Sequence, residues 1–244
     1  MKNVFFIDGK VGTELLTWLL TNHLEDVALV VYVEGNFEAE EICSKHHVEH
    51  VSSAMLEFHV KHRFDFGFTL WWPNILSSEI LKMVEIDFYN LHPSLLPAQR
   101  GKGTSFWNLV ENSSFGVTIH KIGRQIDKGE IVAQVEIPKT WEDTGGSLAL
   151  KAQSALTNLF KGWYPHVGMK LPLEKNCQIP ETFHQLKEIF DRSSLDLDQI
   201  VRVRDLLNLL RAKVHADYPG CTFTEEGKTY EIQIQIREVT HGQA

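Results

Sequence analysis

An asparagine and a histidine stand two positions apart in "FYNLHPSLLPAQRGKGTSFW", residues 88–107, where an apolar run meets a loop that begins with proline. Residues i and i+2 of a strand project to the same face, so Asn90 and His92 are expected side by side at a strand end. Pro93 restricts His92 to an extended backbone, which aims the imidazole. Because an amide and an imidazole can both donate to one oxygen, the pair suits a reaction that develops negative charge on a carbonyl oxygen.

Such a reaction also needs a base, and the turn "GRQIDKGEIV" carries the best acidic candidate, Asp127. A carboxylate there could orient His92 and accept a proton. Taken alone, an asparagine at a strand end is often a turn residue, and an aspartate before Lys128 and Gly129 is often an ordinary turn aspartate. At the level of single residues, the catalytic and the structural interpretations both stay open.

Short apolar runs alternate with amphipathic segments and predict the elements that position these residues. The predicted strands are "NVFFI", "VALVVYV", "DFGFTL" and "DFYNL", and the helices between them are "VGTELLTWLLTNH", "FEAEEICSKHH" and "SSEILKMV". This alternation predicts an α/β fold, a Rossmann-like and mostly parallel sheet flanked by helices. Ligands bind at the carboxyl ends of strands in such sheets, where Asn90 and His92 are expected.

After residue 114 the pattern changes. "FGVTIHKI" and "GEIVAQVEI" predict a hairpin-like pair of strands, and "GGSLALKAQSALTNLFKGW" predicts a long helix. Beyond Pro165 the segment "KLPLEKNCQIPE" is linker-like, and it precedes the helical "LDQIVRVRDLLNLLRAKV" and a β-hairpin around Gly227. We therefore predict an N-terminal catalytic domain at 1–168 and a small C-terminal region of helix plus β-hairpin at 169–244.

Composition limits the partners of the chain. A net charge of -8, from 32 acidic and 24 basic residues, disfavours a nucleic-acid partner. Cys43, Cys177 and Cys221 are scattered and odd in number, which predicts a reducing compartment. No apolar run reaches the length of a membrane span, and the N-terminus turns polar too soon for a signal peptide. A cytoplasmic protein without a membrane partner is expected.

Two other patterns do not predict sites. "DGKVG" lacks the GxGxxG spacing, so Gly9 and Gly12 are interpreted as turn and packing glycines. A group of cysteine and histidine residues matches no standard zinc spacing, so no metal site is predicted. That group consists of Cys43, His46, His47 and His50.

"NLHPSLLPAQRGKG" followed by "GVTIHKIGRQIDKGEIVAQ" resembles the formyltransferase family that uses 10-formyltetrahydrofolate. That family includes methionyl-tRNA formyltransferase, glycinamide ribonucleotide transformylase and the sugar nucleotide N-formyltransferases, and the likeness covers roughly the first two-thirds of the chain. The resemblance implies the formyltransferase fold and a catalytic set of Asn90, His92 and Asp127. Asn90 and His92 would hold the tetrahedral oxyanion, and Asp127 would assist removal of a proton from the substrate amine.

The resemblance also implies where the donor 10-formyltetrahydrofolate binds. The family holds the pterin largely through backbone groups of the loop before the Asn strand and of the Asp turn, here "WWPNIL" (71–76) and "GRQID" (123–127). Apolar side chains in these segments would wall a flat slot. The implied cofactor-binding residues are Trp72, Asn74, Ile75, Leu76, Arg124 and Ile126.

The segment "RDLLNLLRAKVHADYPGCTFTEEGKTYEI" is similar to the tail of sugar N-formyltransferases. This similarity implies a homodimer and a dTDP-linked amino-dideoxyhexose acceptor, most readily dTDP-4-amino-4,6-dideoxyglucose, used for O-antigen, lipopolysaccharide or other surface glycans. Arg100 and Lys102 of the "RGKG" loop are candidates for sugar or diphosphate oxygens. Trp107 is a candidate for the hexose and Tyr218 for thymine.

Alternative functions stay open. The acceptor could be a dTDP-3-amino-3,6-dideoxyhexose or glycinamide ribonucleotide, and a formyltetrahydrofolate hydrolase would transfer the formyl group to water. A non-catalytic folate-binding protein is the third class, and the intact Asn90, His92 and Asp127 argue against it. Arg100 and Lys102 could also be solvated loop charges.

Overall fold

A computed structural model describes residues 1–169, 179–216 and 218–239, and of residues 57–59 it describes the backbone only. The strands are β1 (Asn3–Ile7), β2 (Val27–Tyr32), β3 (His50–Ser52), β4 (Phe64–Leu70), β5 (Val84–His92), β6 (Arg100–Gly101), β7 (Gly116–Lys121), β8 (Ile131–Glu136), β9 (Phe183–His184), β10 (Cys221–Glu225) and β11 (Lys228–Ile232). The α-helices are α1 (Gly9–Asn22), α2 (Phe37–Lys45), α3 (Ser78–Leu81), α4 (Thr104–Val110), α5 (Gly145–Trp163), α6 (Leu186–Asp191) and α7 (Val203–Ala212).

The predicted mostly parallel sheet is confirmed. Its seven strands lie in the order β3-β2-β1-β4-β5-β7-β8. Strand β1 pairs in parallel with β2 and β4, β2 with β3, and β4 with β5. The edge strand β3 was not predicted, because three residues are too few to show a strand pattern.

Strands β7 and β8 form the predicted hairpin-like pair. The N–H of Lys121 donates to the carbonyl of Glu130, and the N–H of Ile137 donates to the carbonyl of Phe115. Residue numbers therefore rise along one strand while they fall along the other, so the two strands are antiparallel.

Helices cover both faces of the sheet around β1, which explains why "NVFFI" is apolar at each position. All five residues of β1 are buried. Phe5 stacks on Phe68 with ring centroids 4.9 Å apart, whereas Phe6 faces the opposite side and packs on Phe88 at 5.5 Å. A strand that is buried on both faces has no polar face, so its sequence does not alternate.

The C-terminal region contains the predicted helix and hairpin, together with the short elements β9 and α6, which were not predicted. Helix α7 begins at Val203 rather than at residue 197, because Arg202 has an extended backbone and caps the helix. The β10–β11 hairpin is confirmed, and Gly227 takes the left-handed φ of 75° that its turn requires. Of the predicted linker at 170–181, residues 170–178 lie outside the described residues.

Neither of the two short elements that directly follow β5 was predicted. The "RGKG" segment contains β6, which pairs in parallel with β9 from a distant part of the sequence. Helix α4 begins directly after Gly103, whose φ is 73°. Each element is short, and the pairing of β6 depends on a contact that local periodicity does not report.

Close contacts group the described residues into two interleaved units. The first unit contains Met1–His92, Ile119–Ala133 and 156–169, and the second contains Pro93–Thr118, Gln134–Ala155 and the described residues after 178. The boundary predicted at residue 168 stays a prediction. In the described ranges, no helix combines the length and the apolar character that a membrane crossing requires.

Candidate active site

Asn90 and His92 lie at the carboxyl end of β5, in the first unit. The imidazole of His92 is buried, with 4% of the residue exposed, and Asn90 is half-buried. Asn90 is also paired in parallel register with Thr69 of β4. The strand therefore presents the two polar groups at the edge of the sheet where the sequence analysis predicted a site.

The turn that carries Asp127 reaches this strand end, a contact that the sequence alone could not establish. Oδ2 of Asp127 lies 3.6 Å from Nδ1 of His92, and Oδ1 lies 3.5 Å from Nδ2 of Asn90. The side chain of Asp127 is 12% exposed. The structure thus brings the three predicted catalytic side chains into one cluster within the first unit.

Backbone contacts hold the turn in place. The N–H of Ile122 donates to the carbonyl of Phe88 at 2.6 Å, which attaches the start of the turn to β5. At its end Gly129 passes so close to Lys121 that a Cβ atom would lie 1.6 Å from the Lys121 carbonyl oxygen, so only glycine fits. Asp127 itself has a left-handed φ of 53°, a strained conformation that the surrounding contacts must maintain.

An ion-pair network around Lys121 links the turn of Asp127 to β5. Nζ of Lys121 lies 3.0 Å from Oδ2 of Asp87 on β5 and 3.1 Å from Oε2 of Glu130. Hydrogen bonds to Asp87 and Glu130 raise the pKa of Lys121, so this side chain stays charged at neutral pH. The lysine therefore links the strand of Asn90 to the strand pair that flanks Asp127.

His120 on β7 is a member of the cluster that the sequence analysis missed. The residue is 1% exposed, and its Nδ1 lies 2.8 Å from the carbonyl oxygen of Lys121. Nδ1 therefore carries a proton, and in the neutral ring Nε2 accepts from Nδ2 of Asn90 at 3.1 Å. Nε2 also lies 3.4 Å from Oδ1 of Asp127. The spacing of Thr118 and His120 in "GVTIHKI" is the signal that could have found it, because it repeats the same-face pattern of Asn90 and His92.

Thr69 is a second member that the sequence analysis missed. Its hydroxyl donates to Oδ1 of Asn90 at 2.7 Å, and the residue is 3% exposed. A threonine at the end of the apolar run "DFGFTL" gives no distinctive signal, since its partner becomes visible only through the register of β4 and β5.

The cluster therefore combines hydrogen-bond donors with one proton acceptor in a nearly dry site. An amide N–H and an imidazole can stabilise charge on a carbonyl oxygen, and a carboxylate can accept a proton from an attacking nucleophile. Burial strengthens these interactions, because little water competes for them. The arrangement suits transfer of an acyl-type group to a nucleophile that carries a proton.

The first predicted donor-binding segment, and the residue just before the second, pack on one apolar cluster with the strands of the site. Trp72, Leu76 and Ile122 all pack against the core cluster that contains Phe6 and Phe88. The indole N–H of Trp72 is buried and has no hydrogen-bond partner among the described residues.

Two apolar side chains of these segments remain in contact with solvent. Ile75 is 79% exposed and Ile126 is 44% exposed. Asn74 and Arg124 are also exposed. A flat apolar ligand would therefore find both exposed apolar surface and polar groups in the predicted segments.

The predicted acceptor residues all lie in the second unit. Nη2 of Arg100 forms an ion pair with Oε1 of Glu181 at 2.8 Å, and its guanidinium lies over the ring of Phe183 at 5.3 Å. Lys102 has an exposed side chain, while its backbone N–H donates to the carbonyl of His184 at 3.1 Å.

The two aromatic acceptor candidates differ in exposure. Trp107 is 3% exposed, and its ring stacks on His184 with centroids 3.8 Å apart while Arg192 lies 5.0 Å from its ring centre. Tyr218 is 48% exposed and lies beside His215. The roles predicted for these residues stay predictions.

Within the described residues, no group of three or more histidine, cysteine, aspartate or glutamate side chains has the arrangement of a metal site. The four residues Cys43, His46, His47 and His50 therefore form no such group.

Two family models match the chain. A model described as formyl transferase matches residues 9–161, which include the whole candidate site. A model described as the N-formyltransferase dimerization C-terminal domain matches residues 188–238.

Solved structures share the fold over almost the whole chain. A 4-N formyltransferase from Francisella tularensis is 20% identical, with a TM-score of 0.79 and coverage of 98% of this chain and 99% of that chain. A sugar N-formyltransferase from a Shewanella species is 22% identical, with a TM-score of 0.77 and the same two coverages. An N-formyltransferase from Helicobacter canadensis, in complex with folinic acid and dTDP-3-aminofucose, is 20% identical, with a TM-score of 0.73 and coverage of 93% of this chain and 85% of that chain.

Proposed function

The chain belongs to the formyl transferase family, and from that premise we propose that it transfers a formyl group from 10-formyltetrahydrofolate to the amino group of a dTDP-linked amino-dideoxyhexose. The observation that carries the proposal is the cluster of Asn90, His92 and Asp127. The carboxylate of Asp127 lies within 3.6 Å of a side-chain nitrogen of both Asn90 and His92. Oxyanion donors and a proton acceptor are the groups that transfer to an amine requires.

The residues have distinct roles in this proposal. The donor supplies an electrophilic formyl carbon, which the acceptor nitrogen attacks to form a new C–N bond. Asn90 donates through Nδ2 to the oxygen that becomes negative, and His92 assists through Nε2, since its Nδ1 faces Asp127. Asp127 takes the proton that the attacking nitrogen loses. Collapse of the oxyanion then breaks the old C–N bond and leaves the formyl group on the acceptor. The folate nitrogen keeps the bonding electron pair and takes up a proton, which the protonated Asp127 returns.

We assign donor binding to the two segments predicted for it. Trp72 and Leu76 form the inner wall on the apolar cluster, and the exposed Ile75 and Ile126 become covered when a flat ring system binds. Arg124 provides a positive charge for an acidic part of the folate. The complex of the Helicobacter canadensis relative with folinic acid supports a formyl-folate donor.

We assign acceptor binding to the second unit, through Arg100, Lys102 and Tyr218, whereas Trp107 is too deeply buried against His184 to contact a hexose directly. Guanidinium and ammonium groups suit diphosphate oxygens, and the half-exposed ring of Tyr218 can stack on thymine. The relative that contains dTDP-3-aminofucose supports the nucleotide class. The similar structures include a 4-N formyltransferase, and we propose dTDP-4-amino-4,6-dideoxyglucose as the acceptor, for O-antigen or other surface-glycan synthesis.

We also propose a cytoplasmic homodimer. The match of residues 188–238 to a dimerization domain supports association through the C-terminal region, which we place at 169–244. The buried free thiols of Cys43 and Cys221 fit a reducing compartment.

An acceptor panel tests the proposal. The protein is incubated with 10-formyltetrahydrofolate and separately with dTDP-4-amino-4,6-dideoxyglucose, dTDP-3-amino-3,6-dideoxyhexoses, glycinamide ribonucleotide or no acceptor, and release of tetrahydrofolate is followed. We expect rapid release with a dTDP-amino sugar only. Release without acceptor would identify a hydrolase, release with glycinamide ribonucleotide alone would overturn the sugar acceptor, and no release at all would overturn the proposal.

A matched pair of variants connects the activity to the site. Asn90→Ala removes the proposed oxyanion donor and is expected to lower kcat by about 10²-fold or more. Asn22→Ala changes an exposed asparagine whose amide only bonds a carbonyl within α1, and it should leave the rate unchanged. Equal rates in the two variants would refute the catalytic assignment.

A further inference from the structure

Thr69 stands next to Asn90 across the β4–β5 pair, and its hydroxyl is directed at the amide oxygen of that asparagine. We propose that Thr69 is a positioning residue for formyl transfer, because its hydroxyl fixes the plane of the Asn90 amide and thereby directs Nδ2 toward the reacting oxygen. The inference rests on the proposed function of Asn90 as an oxyanion donor.

The direction of the hydrogen bond follows from the acceptors around the hydroxyl. A hydroxyl carries one proton, and Thr69 Oγ1 lies 2.7 Å from Oδ1 of Asn90 but 3.3 Å from the carbonyl oxygen of Tyr89. The shorter contact is the better hydrogen bond, so Thr69 donates to Asn90. Thr69 is 3% exposed, which leaves little access for a water molecule that could replace the hydroxyl.

The opposite edge of the amide faces acceptors. Nε2 of His120 accepts from Nδ2 of Asn90 at 3.1 Å, and Oδ1 of Asp127 lies 3.5 Å from the same nitrogen. If the amide turned over, its oxygen would face these two acceptors, which is electrostatically unfavourable. Thr69 and His120 therefore favour the same orientation of the Asn90 amide, one by contacting its oxygen and the other by contacting its nitrogen.

This arrangement leaves one amide proton for the substrate. Nδ2 has two N–H groups, and the hydrogen bond to His120 uses one of them. The second has only the long contact of 3.5 Å to Asp127, so a developing oxyanion can replace that contact with little loss. Preorganised donors of this kind stabilise a transition state without reorganisation, whereas a freely rotating amide must be ordered during the reaction.

Three variants test the role of Thr69 in steady-state formyl transfer with the acceptor found in the panel. Thr69→Val keeps the shape but removes the donor, and we expect kcat to fall about tenfold while both KM values stay within about twofold. Thr69→Ser restores the hydroxyl and should recover most of kcat. Thr13→Val is the matched control, since Thr13 is also buried but its hydroxyl bonds only carbonyls of α1.

A double-mutant cycle separates positioning from general structural damage. If Thr69 acts through Asn90, Thr69→Val should have no further effect in an Asn90→Ala background, measured in single turnovers with excess enzyme. A loss that persists in that background, or a Thr69→Ser variant as slow as Thr69→Val, would overturn the positioning role. If Thr69→Val does not fold, Thr69→Ala takes its place in the same cycle.

The same data distinguish the two levels of inference. A fast Asn90→Ala variant would refute the proposed function itself. A slow Asn90→Ala variant together with a fast Thr69→Val variant would refute only the role of Thr69.

Discussion

The proposed catalytic cluster in the first unit and the predicted acceptor residues in the second unit are built in different ways. Asn90, Thr69 and His120 are carried by strands, and their contacts follow from strand order and register. Arg100 and Trp107 instead contact Glu181 and His184, which a distant part of the sequence supplies.

This difference has a consequence for function. Short side chains on strands have few rotatable bonds, so little entropy is lost when they are fixed in one geometry. The long cationic side chains of Arg100 and Lys102 instead act mainly by attracting and holding charge. We therefore expect changes in the first region to lower kcat and changes in the second to raise the KM for the acceptor.

The largest effect is expected for Asp127→Asn. The amide has nearly the shape of the carboxylate but cannot accept the proton, so kcat should fall about 10²-fold or more, in the range of lost general-base catalysis. Steady-state kinetics with both substrates measure the change. Asp65→Asn serves as the control, because the carboxylate of Asp65 accepts from the backbone N–H of Lys2 at an exposed site. A fall of less than threefold would remove Asp127 from the proposed mechanism.

An intermediate effect is expected for Arg100→Met. This change removes a charge proposed to bind diphosphate but keeps much of the apolar stem, so the KM for the acceptor should rise about tenfold while kcat changes little. The comparable change Arg63→Met removes an exposed guanidinium that bonds nearby carbonyls, and it should be neutral. If Arg100→Met lowers kcat as strongly as Asp127→Asn, the division of roles between the two regions is wrong.

The smallest effect concerns the buried thiols, one in each unit. Burial raises the pKa of Cys43 to about 12 and also raises the pKa of Cys221, so at pH 8 both thiols are protonated and shielded. In a Cys177→Ser variant we expect almost no reaction with a thiol reagent under native conditions. In mild urea Cys221 should react first, because it lies in a two-stranded hairpin, whereas Cys43 lies in α2, which contacts β2 and β3 of the seven-stranded sheet. Fast labelling of Cys43 in the native protein would contradict this order.

The sequence by itself determined most of the helices and strands and the placement of Asn90 and His92 at a strand end. Apolar periodicity located β1, β2 and β5 and both ends of α5, because the burial of one or both faces of an element determines the local spacing of its apolar residues. The two-residue spacing of Asn90 and His92 placed both groups on one face of a strand end, because side-chain direction in a strand has a period of two.

Only the tertiary structure decided which distant groups join that pair. Asp127 could be identified as an acidic turn residue, but its distance of 3.6 Å from His92 depends on how the turn is attached to β5. His120 and Thr69 became members of the site through strand order and register, which are set by the packing of the whole sheet. The physical reason is that local spacing specifies the direction of a side chain, whereas the partner of that side chain is chosen by contacts between residues far apart in the sequence.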